Sequence, residues 1–301
     1  MTISAKIIED SISDAGVRLT TLQLCYPRFI HAEAKTHRIL SQSGEEYEQI
    51  VLTQDESLMS DRNLSRNASS SRAIPVAKMI EQVRTNPAMP IHWGLNQPGM
   101  QANEELKGED KLRAIARWRL AAEAAANHAE VMMEIGAHKQ VANRILEPFQ
   151  WIHVIVTATE WDNFFELRDH PDAQPEIRAL AIAMKEAFAG SRPMTLGEGG
   201  WHLPYVTRAE RAEHFYDNVD LLLKISAARC ARVSYLLHDG QEPSVEKDLA
   251  LYERLVGGVP LHASPIEHQA TPMASAELWS GNFRGWLQYR KLVEGSINNP
   301  V

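Results

Sequence analysis

Residues 17–26 read VRLTTLQLCY, and this stretch decides the fold class. It is apolar, contains β-branched residues, and is followed directly by Pro27. Because β-branched residues favour strands and a proline cannot donate a hydrogen bond to a sheet ladder, the pattern predicts a strand that ends there. Residues 151–158, WIHVIVTA, have a similar composition and predict a second strand, although a buried helix would look alike. Together the two stretches indicate a sheet.

Helical periods occupy much of the remaining chain. Pro75 suits the first turn of a helix. The apolar residues that follow it recur at helical spacing, namely Val76, Met79, Ile80 and Val83. A longer helix is predicted over 109–135, with Gly136 as its stop and with an apolar face of Leu112, Ile115, Trp118, Ala121, Ala125, Val131, Met132 and Ile135. Further helices are predicted from Pro175 onward and over 218–229 and 245–256. Loops are predicted over 41–64, 93–110 and 190–208.

The order of these elements excludes two common nucleotide-binding classes. Strands and helices do not alternate strictly, no internal repeat appears, and neither of the common Gly-rich phosphate loops occurs. A Rossmann fold or a P-loop fold therefore has no support. The length of 301 residues permits one domain or two.

Composition and charge are those of an ordinary globular protein. The chain has 31 Lys and Arg residues against 39 Asp and Glu residues, a formal charge of −8, and 44% hydrophobic residues. The negative total argues against sequence-independent binding to nucleic acid, although it is compatible with a local basic pocket for one phosphate. The first residues, MTISAKIIED, are too polar for a signal peptide, no window resembles a membrane span, and Cys25 and Cys230 stand far apart. We therefore expect a cytoplasmic protein without a disulfide framework.

Residues 65–72, SRNASSSR, are the most concentrated set of polar side chains. Four serine hydroxyls, two guanidinium groups and free backbone amides before the helix at Pro75 could cradle a phosphate. From composition alone a solvated capping loop is the favoured interpretation, because serines commonly cap helices. Thr36-His37-Arg38, Arg144 and Arg168 are further basic candidates. Since Arg144 and Arg168 stand among apolar residues, each is expected to need an anionic partner.

Metal and hydrolase chemistry have little support. His37, His262 and His268 lack the tight spacing of helical metal ligands, and neither cysteine has a second ligand at close spacing. A Gly-x-Ser-x-Gly elbow is absent, and Cys25 within an apolar strand is expected in the core. We therefore expect no bound metal and no protein nucleophile, which favours an organic cofactor for the difficult step.

Two motifs resemble the halves of the signature of flavin-dependent thymidylate synthases, in which Arg-His-Arg precedes a serine-containing segment. Thr36-His37-Arg38 resembles the first half, and Ser65-x-Asn67-x-x-Ser70-x-Arg72 resembles the second. In this chain 31 residues separate Arg38 from Ser70, which is longer than in the family pattern. The extra residues are interpreted as an acidic, loop-like insertion over about 41–64, and either Ser41 or Ser65 could take the family's intermediate serine position.

Further matches appear in two other parts of the chain. The family's C-terminal core, where two arginines contact the nucleotide, is resembled by Ala142-Asn143-Arg144 with Leu146 and Pro148, by residues 163–168, NFFELR, and by residues 173–177, AQPEI. Residues 231–235, ARVSY, and 262–268, HASPIEH, resemble the family's N-terminal segment but lie here near the C-terminus. The simplest account is a circular rearrangement within a single domain of residues 1–301, in which about 226–275 supplies the elements that usually come first.

The resemblance implies an α+β fold, a mainly antiparallel sheet flanked by long helices, and a homotetramer with shared active sites. It also implies that reduced FAD supplies hydride, that methylene-tetrahydrofolate and NADPH are co-substrates, and that C5 of dUMP is methylated without an essential cysteine. The residues implied to contact FAD are His37, Arg38, Asn67 and His268. Those implied to bind the nucleotide are Glu33, Ser70, Ser71, Arg72, Arg144 and Arg168, with catalytic roles for Ser70 and Arg168.

The sequence departs from the family pattern at three positions. Thr36 replaces an arginine, so the flavin site loses a charge, which Arg28 or Arg66 could restore. Glu33 replaces a glutamine and Ala68 replaces a glutamate, which changes the hydrogen-bonding groups near the nucleotide. Three hypotheses remain: methylation of dUMP, formation of a hydroxymethylated or otherwise modified pyrimidine from dUMP or dCMP, and a non-catalytic nucleotide-binding homologue.

Overall fold

A five-stranded sheet lies at the centre of the computed structural model, which describes residues 1–31, 65–99, 101–214, 218–233, 244–259 and 261–298. Its strands are β1 (Ser4–Ser13), β2 (Arg18–Pro27), β3 (Ser65–Ala68), β4 (Trp151–Ala158) and β5 (Met194–Leu196). They lie in the order β3-β4-β2-β1-β5; β1 and β5 are parallel, and the other neighbours are antiparallel. The strands predicted over 17–26 and 151–158 are confirmed, and they pair with each other from Thr20 to Pro27.

Helices and 3-10 turns surround this sheet. The α-helices are α1 (Val76–Thr85), α2 (Gly108–Glu134), α3 (Lys139–Ala142), α4 (Asp162–Arg168), α5 (Pro175–Ala189), α6 (Arg208–His214), α7 (Val219–Arg232), α8 (Val245–Leu255) and α9 (Tyr289–Asn298). The 3-10 turns are Arg28–Ile30, Asn143–Phe149 and Ser264–Glu267. The short strands β6 (Ala270–Pro272), β7 (Trp279–Ser280), β8 (Phe283–Arg284) and β9 (Trp286–Gln288) pair as β6 with β9 and β7 with β8. The predicted helices and the predicted α+β class, with a mainly antiparallel sheet and long helices, are confirmed.

One face of the sheet packs against α5 through apolar side chains. Alternate residues of β2 and β4 point to this face, as the pleat of a strand requires; they are Leu22, Leu24, Ile152, Val154 and Val156. From α5, Ile177, Leu180 and Met184 meet them at helical spacing. Phe164 and Phe165 of α4 pack against the same apolar layer, which therefore fixes both helices to the sheet.

The opposite face carries more polar side chains and packs against the C-terminal part of the chain. Ile155 of β4 contacts Cys230 and Val233 at the end of α7. On β3, Nδ2 of Asn67 donates to the carbonyl oxygen of Cys230 at 3.1 Å. The end of α7 thus packs directly on strands that come much earlier in the sequence.

The helix α2 packs against α1 and the turn Asn143–Phe149 through its small residues. Its buried positions are Ala122, Ala126 and Ala129. The apolar face predicted for this helix is partly wrong, because Leu112, Val131 and Ile135 are 67%, 53% and 76% exposed. Alanines allow α1 to approach the helix axis closely, so the packed stripe follows the small side chains rather than the large ones.

The strand β1 is the main element that the sequence pattern does not predict. Charged and apolar residues mix in SAKIIEDSIS, and a register shift between Ile7 and Glu9 interrupts the alternation. Of the predicted loops, 190–208 contains β5, 93–110 runs into the start of α2, and 41–64 lies outside the described residues. Among the helices that the structure describes, none is long and apolar enough to cross a membrane.

Candidate functional site

Residues 65–72 consist of a strand followed by a tight turn. After β3, Ser69 continues the pairing, because its amide donates to the carbonyl oxygen of His153 and its Oγ accepts from the amide of His153. The carbonyl oxygen of Ser70 then accepts two backbone amides and forms the turn that leads to α1. Pro75 is the N-cap of α1 and no side chain caps it. The interpretation of 65–72 as a capping loop is therefore wrong.

An arginine cluster, defined as Arg28, Ser71, Arg144 and Glu147, lies where this turn meets the turn Asn143–Phe149. Oε1 of Glu147 accepts a hydrogen bond from Ser71 Oγ at 2.7 Å and lies 2.9 Å from Arg144 Nη1 and 3.2 Å from Arg28 Nη2. Ser71 is buried, whereas the side chain of Arg144 is 53% exposed. Burial lowers the pKa of Arg28, and the charge of Glu147 opposes that shift. The anionic partner expected for Arg144 is thus supplied by the chain itself.

Backbone contacts hold the arginine cluster in shape. Nδ2 of Asn143 donates to the carbonyl oxygens of Ser71 and Ile74, at 2.7 and 2.9 Å, and so ties the two turns together. Ser70 is half-buried, and its Oγ accepts the amide of Arg72 at 3.3 Å. The Arg72 side chain is exposed and has no ion pair with the residues that the structure describes. Four of the residues predicted to bind the nucleotide, Ser70, Ser71, Arg72 and Arg144, therefore lie together.

A second set of donors lies on α4. Nδ2 of Asn163 and Nε of Arg168 are buried atoms without a hydrogen-bond partner within the described ranges. The guanidinium group of Arg168 is half-buried, and this burial lowers its pKa. No hydrogen bond or ion pair between described residues joins Arg168 to the arginine cluster. One chain thus presents two separate sets of cationic donors. A half-buried guanidinium without a partner among the described residues favours an anionic or carbonyl ligand.

A hydroxyl–histidine chain, defined as Ser11, His202, Thr21, Thr157 and His268, crosses the other face of the sheet. Ser11 Oγ lies 2.8 Å from Nδ1 of His202, and Thr21 Oγ1 lies 2.7 Å from Nε2 of the same ring. Thr157 Oγ1 lies 2.7 Å from Thr21 Oγ1 and 2.8 Å from Nδ1 of His268. All five residues are fully buried, and Nε2 of His268 has no partner among the described residues.

Burial keeps both histidines of this chain neutral. It lowers the pKa of His268 to about 3, because a charged imidazole would lose its hydration without gaining a counterion. The pKa of His202 is also well below its usual value, first through burial and then through the nearby charge of Arg211. His268 and Asn67, the described residues implied to contact flavin, both lie on this face of the sheet.

Neither cysteine is placed as a nucleophile. Cys25 is buried in β2 and Cys230 in α7, and both are free thiols. Burial raises the pKa of Cys25 to about 11 and also raises the pKa of Cys230. The core position expected for Cys25 is confirmed. No group of three or more His, Cys, Asp or Glu residues within the described ranges could hold a metal ion.

Several residues singled out in the sequence lie outside the described residues, namely Glu33, Thr36, His37, Arg38, Ser41, Ser234 and Tyr235. Two polar residues of these sites, Glu147 and His202, are not predicted from the sequence. The spacing of three between Arg144 and Glu147 is nevertheless a signal for an ion pair on one helical turn. His202 stands in a predicted loop without any local pattern, so no signal could have marked it.

The fold and these two donor sets define a class, an α+β protein with two separate sets of guanidinium donors. Within that class the chain belongs to the family described as thymidylate synthase complementing protein, Thy1, whose model matches residues 19–194, more than half of the chain. The resemblance to flavin-dependent thymidylate synthases is thereby confirmed. The match ends before 226–275 and so does not include the segment interpreted as rearranged.

Solved structures of one enzyme are similar to this chain at low sequence identity. The UMP/dUMP methylase PolB from Streptomyces cacaoi bound with 5-Br dUMP is 14% identical, with a TM-score of 0.44, over 62% of this chain and 90% of that chain. The same enzyme bound with 5-Br UMP is 15% identical, with a TM-score of 0.43, over 62% of this chain and 88% of that chain. No curated protein sequence matches the chain.

Proposed function

We propose that the protein methylates C5 of a pyrimidine deoxynucleotide, dUMP, with methylene-tetrahydrofolate as the one-carbon donor and NADPH as the reductant of a bound FAD. Membership of the Thy1 family supports this proposal. The observation that supports it most directly is the half-buried guanidinium of Arg168, which has no anionic partner among the described residues. Such a group is stabilised when a ligand supplies the missing negative charge or carbonyl oxygen.

In this proposal the two donor sets have different tasks. Ser70, Ser71, Arg72 and Arg144 hold the nucleotide phosphate, because hydroxyl and guanidinium donors neutralise a dianion. Arg168 stabilises the negative charge that develops on the pyrimidine carbonyl as hydride arrives, which lowers the barrier. The two sets need not meet within one chain if subunits share the active site.

FAD, when bound, would supply the hydride. The residues that would hold it are His37, Arg38, Asn67 and His268. Of these, His268 offers a buried Nε2 without a described partner, which fits a polar group of a flavin. The buried cysteines, with their raised pKa, supply no thiolate at neutral pH, and this agrees with a reaction that needs no cysteine nucleophile.

The first test is the absorbance spectrum of the purified protein, before and after addition of FAD. A flavin spectrum, followed by thymidylate formation from dUMP, methylene-tetrahydrofolate and NADPH, is the expected result. Arg168→Ala should then lose about a hundredfold or more in turnover while FAD stays bound. Arg113→Ala is the matched control, since Arg113 is an exposed arginine on α2. Protein that binds no flavin, or an Arg168→Ala enzyme with full turnover, would contradict the proposal.

A second candidate is a flavin- and folate-dependent enzyme that makes a hydroxymethylated or otherwise modified pyrimidine from dUMP or dCMP. The observation that favours it is Ala68, which replaces a family glutamate and whose methyl group packs against the apolar layer beneath the sheet. Mass spectrometry of the product from each nucleotide separates the two candidates. A pure thymidylate mass excludes the second. Multiple-turnover flavin oxidation that depends on nucleotide and folate excludes the third hypothesis, a non-catalytic nucleotide-binding homologue.

We also propose a cytoplasmic homotetramer in which subunits share active sites, each chain forming a single domain with rearranged segment order. Exposed apolar residues along α2 support association, because Leu112, Leu120 and Ile135 are 67%, 59% and 76% exposed. Light scattering of the purified protein measures the mass directly. A monomer that turns over at full rate would overturn the sharing of active sites.

A further inference from the structure

The carboxylate of Glu147 binds the same donors that the proposed function assigns to a phosphate. One of its oxygens, Oε1, lies within 3.2 Å of the hydroxyl of Ser71 and of the guanidinium groups of Arg144 and Arg28. Three donors that converge on a single oxygen form a site for an oxyanion, and here the chain's own side chain occupies it. The arginine cluster is therefore already neutralised in part before any ligand arrives.

The position of Glu147 also allows its carboxylate to leave. Its side chain is 26% exposed, so water can hydrate the carboxylate once it turns away from Arg144. The donors would not be lost in that movement, since Ser71 is held through its carbonyl oxygen by Asn143 and Arg28 is held by the carbonyl oxygen of Ser69 at 3.3 Å. The cluster thus has two anchored donors, Ser71 and Arg28, and a carboxylate that can be replaced.

Other polar atoms of the same segment are also without partners. Oδ1 of Asn143 and both side-chain polar atoms of Gln150 are buried and make no hydrogen bond within the described ranges. Gln150 is adjacent to the cluster, because its carbonyl oxygen accepts the amide of Arg28 at 2.7 Å. Buried polar groups normally have partners, so this segment has unused capacity for a polar ligand or for water.

We propose that Glu147 is an internal competitor for the anionic group of the substrate and thereby a specificity-determining residue. Binding of a phosphate ester requires the carboxylate of Glu147 to release Ser71 and Arg144, which weakens binding of phosphate esters and leaves uncharged nucleosides unaffected. This inference rests on the proposed function for its choice of nucleotide, but not for its prediction about anions.

The test compares Glu147→Gln with the unchanged protein by calorimetric titration. Three ligands are used, namely dUMP, deoxyuridine and inorganic phosphate. The amide keeps the size and one oxygen acceptor but removes the charge, so dUMP and phosphate should bind about tenfold to a hundredfold more tightly, while deoxyuridine binding stays the same. Glu160→Gln is the matched control, because it makes the same charge change at the exposed ion pair with Arg284 and should alter none of the three affinities.

A second variant keeps the test decisive if the amide disturbs the fold. Glu147→Asp retains the charge, but its shorter side chain places the carboxylate farther from Arg144. The affinity of this variant for phosphate should lie between those of the unchanged protein and Glu147→Gln. Thermal unfolding shows which variants are folded. Phosphate affinity that is equal or lower in both folded variants overturns the proposal and makes Glu147 a support for the arginines.

The outcomes also separate this inference from the proposed function. If dUMP binds none of the proteins while phosphate binds Glu147→Gln more tightly, the nucleotide assignment fails and the competitor role stands. If dUMP binds the unchanged protein and Glu147→Gln equally, the competitor role fails and the nucleotide assignment stands. Absence of phosphate binding in every protein overturns the competitor role.

Discussion

The arginine cluster and the hydroxyl–histidine chain are two polar regions of one sheet, and they differ in how their groups are satisfied. In the cluster, the exposed Arg144 and the partly exposed Glu147 form an ion pair that water can reach. In the chain, five buried groups are neutral and depend on one another for hydrogen bonds. Polar groups of the cluster can therefore exchange a partner for a ligand, whereas the hydrogen bonds within the buried chain contribute to stability.

Removal of one hydroxyl from the buried chain should have the largest effect on stability. Thr157→Val removes the hydrogen-bond partner of His268 Nδ1 and of Thr21 Oγ1 in the core, so the free energy of unfolding should fall by about 2–3 kcal/mol. Urea unfolding measures this loss. Thr85→Val, at an exposed threonine near the end of α1, is the control and should change stability by less than about 0.5 kcal/mol. Equal effects of the two substitutions would break the contrast between core and surface.

Acid should weaken the buried chain. The folded-state pKa of His202 and that of His268 lie below the value for an unfolded chain, so the unfolded protein binds more protons and stability falls as the pH drops from about 6.5 towards 3. Glu9 acts in the opposite direction, because burial raises its pKa to about 7 and the folded state then holds the extra proton.

The variant His268→Gln isolates one histidine from this balance. The drop in unfolding free energy between pH 6 and pH 5 should be smaller by about 1 kcal/mol in His268→Gln than in the unchanged protein. Urea titrations at the two pH values measure this difference. His262→Gln, at an exposed histidine, should leave the drop unchanged. If both variants show the drop of the unchanged protein, His268 is not buried as a neutral ring.

The cluster should show the smallest effect on stability and a clear effect on binding. Arg144–Glu147 and Arg113–Asp110 are both ion pairs at a spacing of three. Because each arginine is exposed, Arg144→Ala and Arg113→Ala should each change stability by less than about 1 kcal/mol. Nucleotide affinity, measured by titration with dUMP, should fall about tenfold only in Arg144→Ala. An equal fall in both would remove the special role of the cluster.

The main strands and helices of the fold could be predicted from the sequence because their patterns are local. VRLTTLQLCY and WIHVIVTA are apolar, and Val76, Met79, Ile80 and Val83 follow a helical period, so each pattern specifies its own element. The strand β1 could not be predicted, since Asp10 within it is stabilised by distant partners, namely Arg18 and Thr20 of the paired strand and Ser191. The packed face of α2 also depends on its neighbour rather than on its own large residues.

The candidate site divides in the same way. The resemblance to the family implies that Ser70, Ser71, Arg72, Arg144 and Arg168 bind the nucleotide. The sequence could not show that Arg144 pairs with Glu147, or that Arg168 has no ion pair with any described residue. It also could not show that no contact between described residues joins the two arginines. Those facts depend on distances between segments that lie far apart in sequence.

The sequence alone determined the family, the main secondary structure and the residue types available for binding an anion. Each of these depends on patterns among neighbouring residues. Only the tertiary structure decided which polar groups are exposed and which are buried. His268 and Arg144 both come from family-like motifs, yet one is a fully buried neutral ring and the other an exposed charge. The reason is physical, since the pKa and the available partners of a side chain depend on the water and the charges that the fold brings to it.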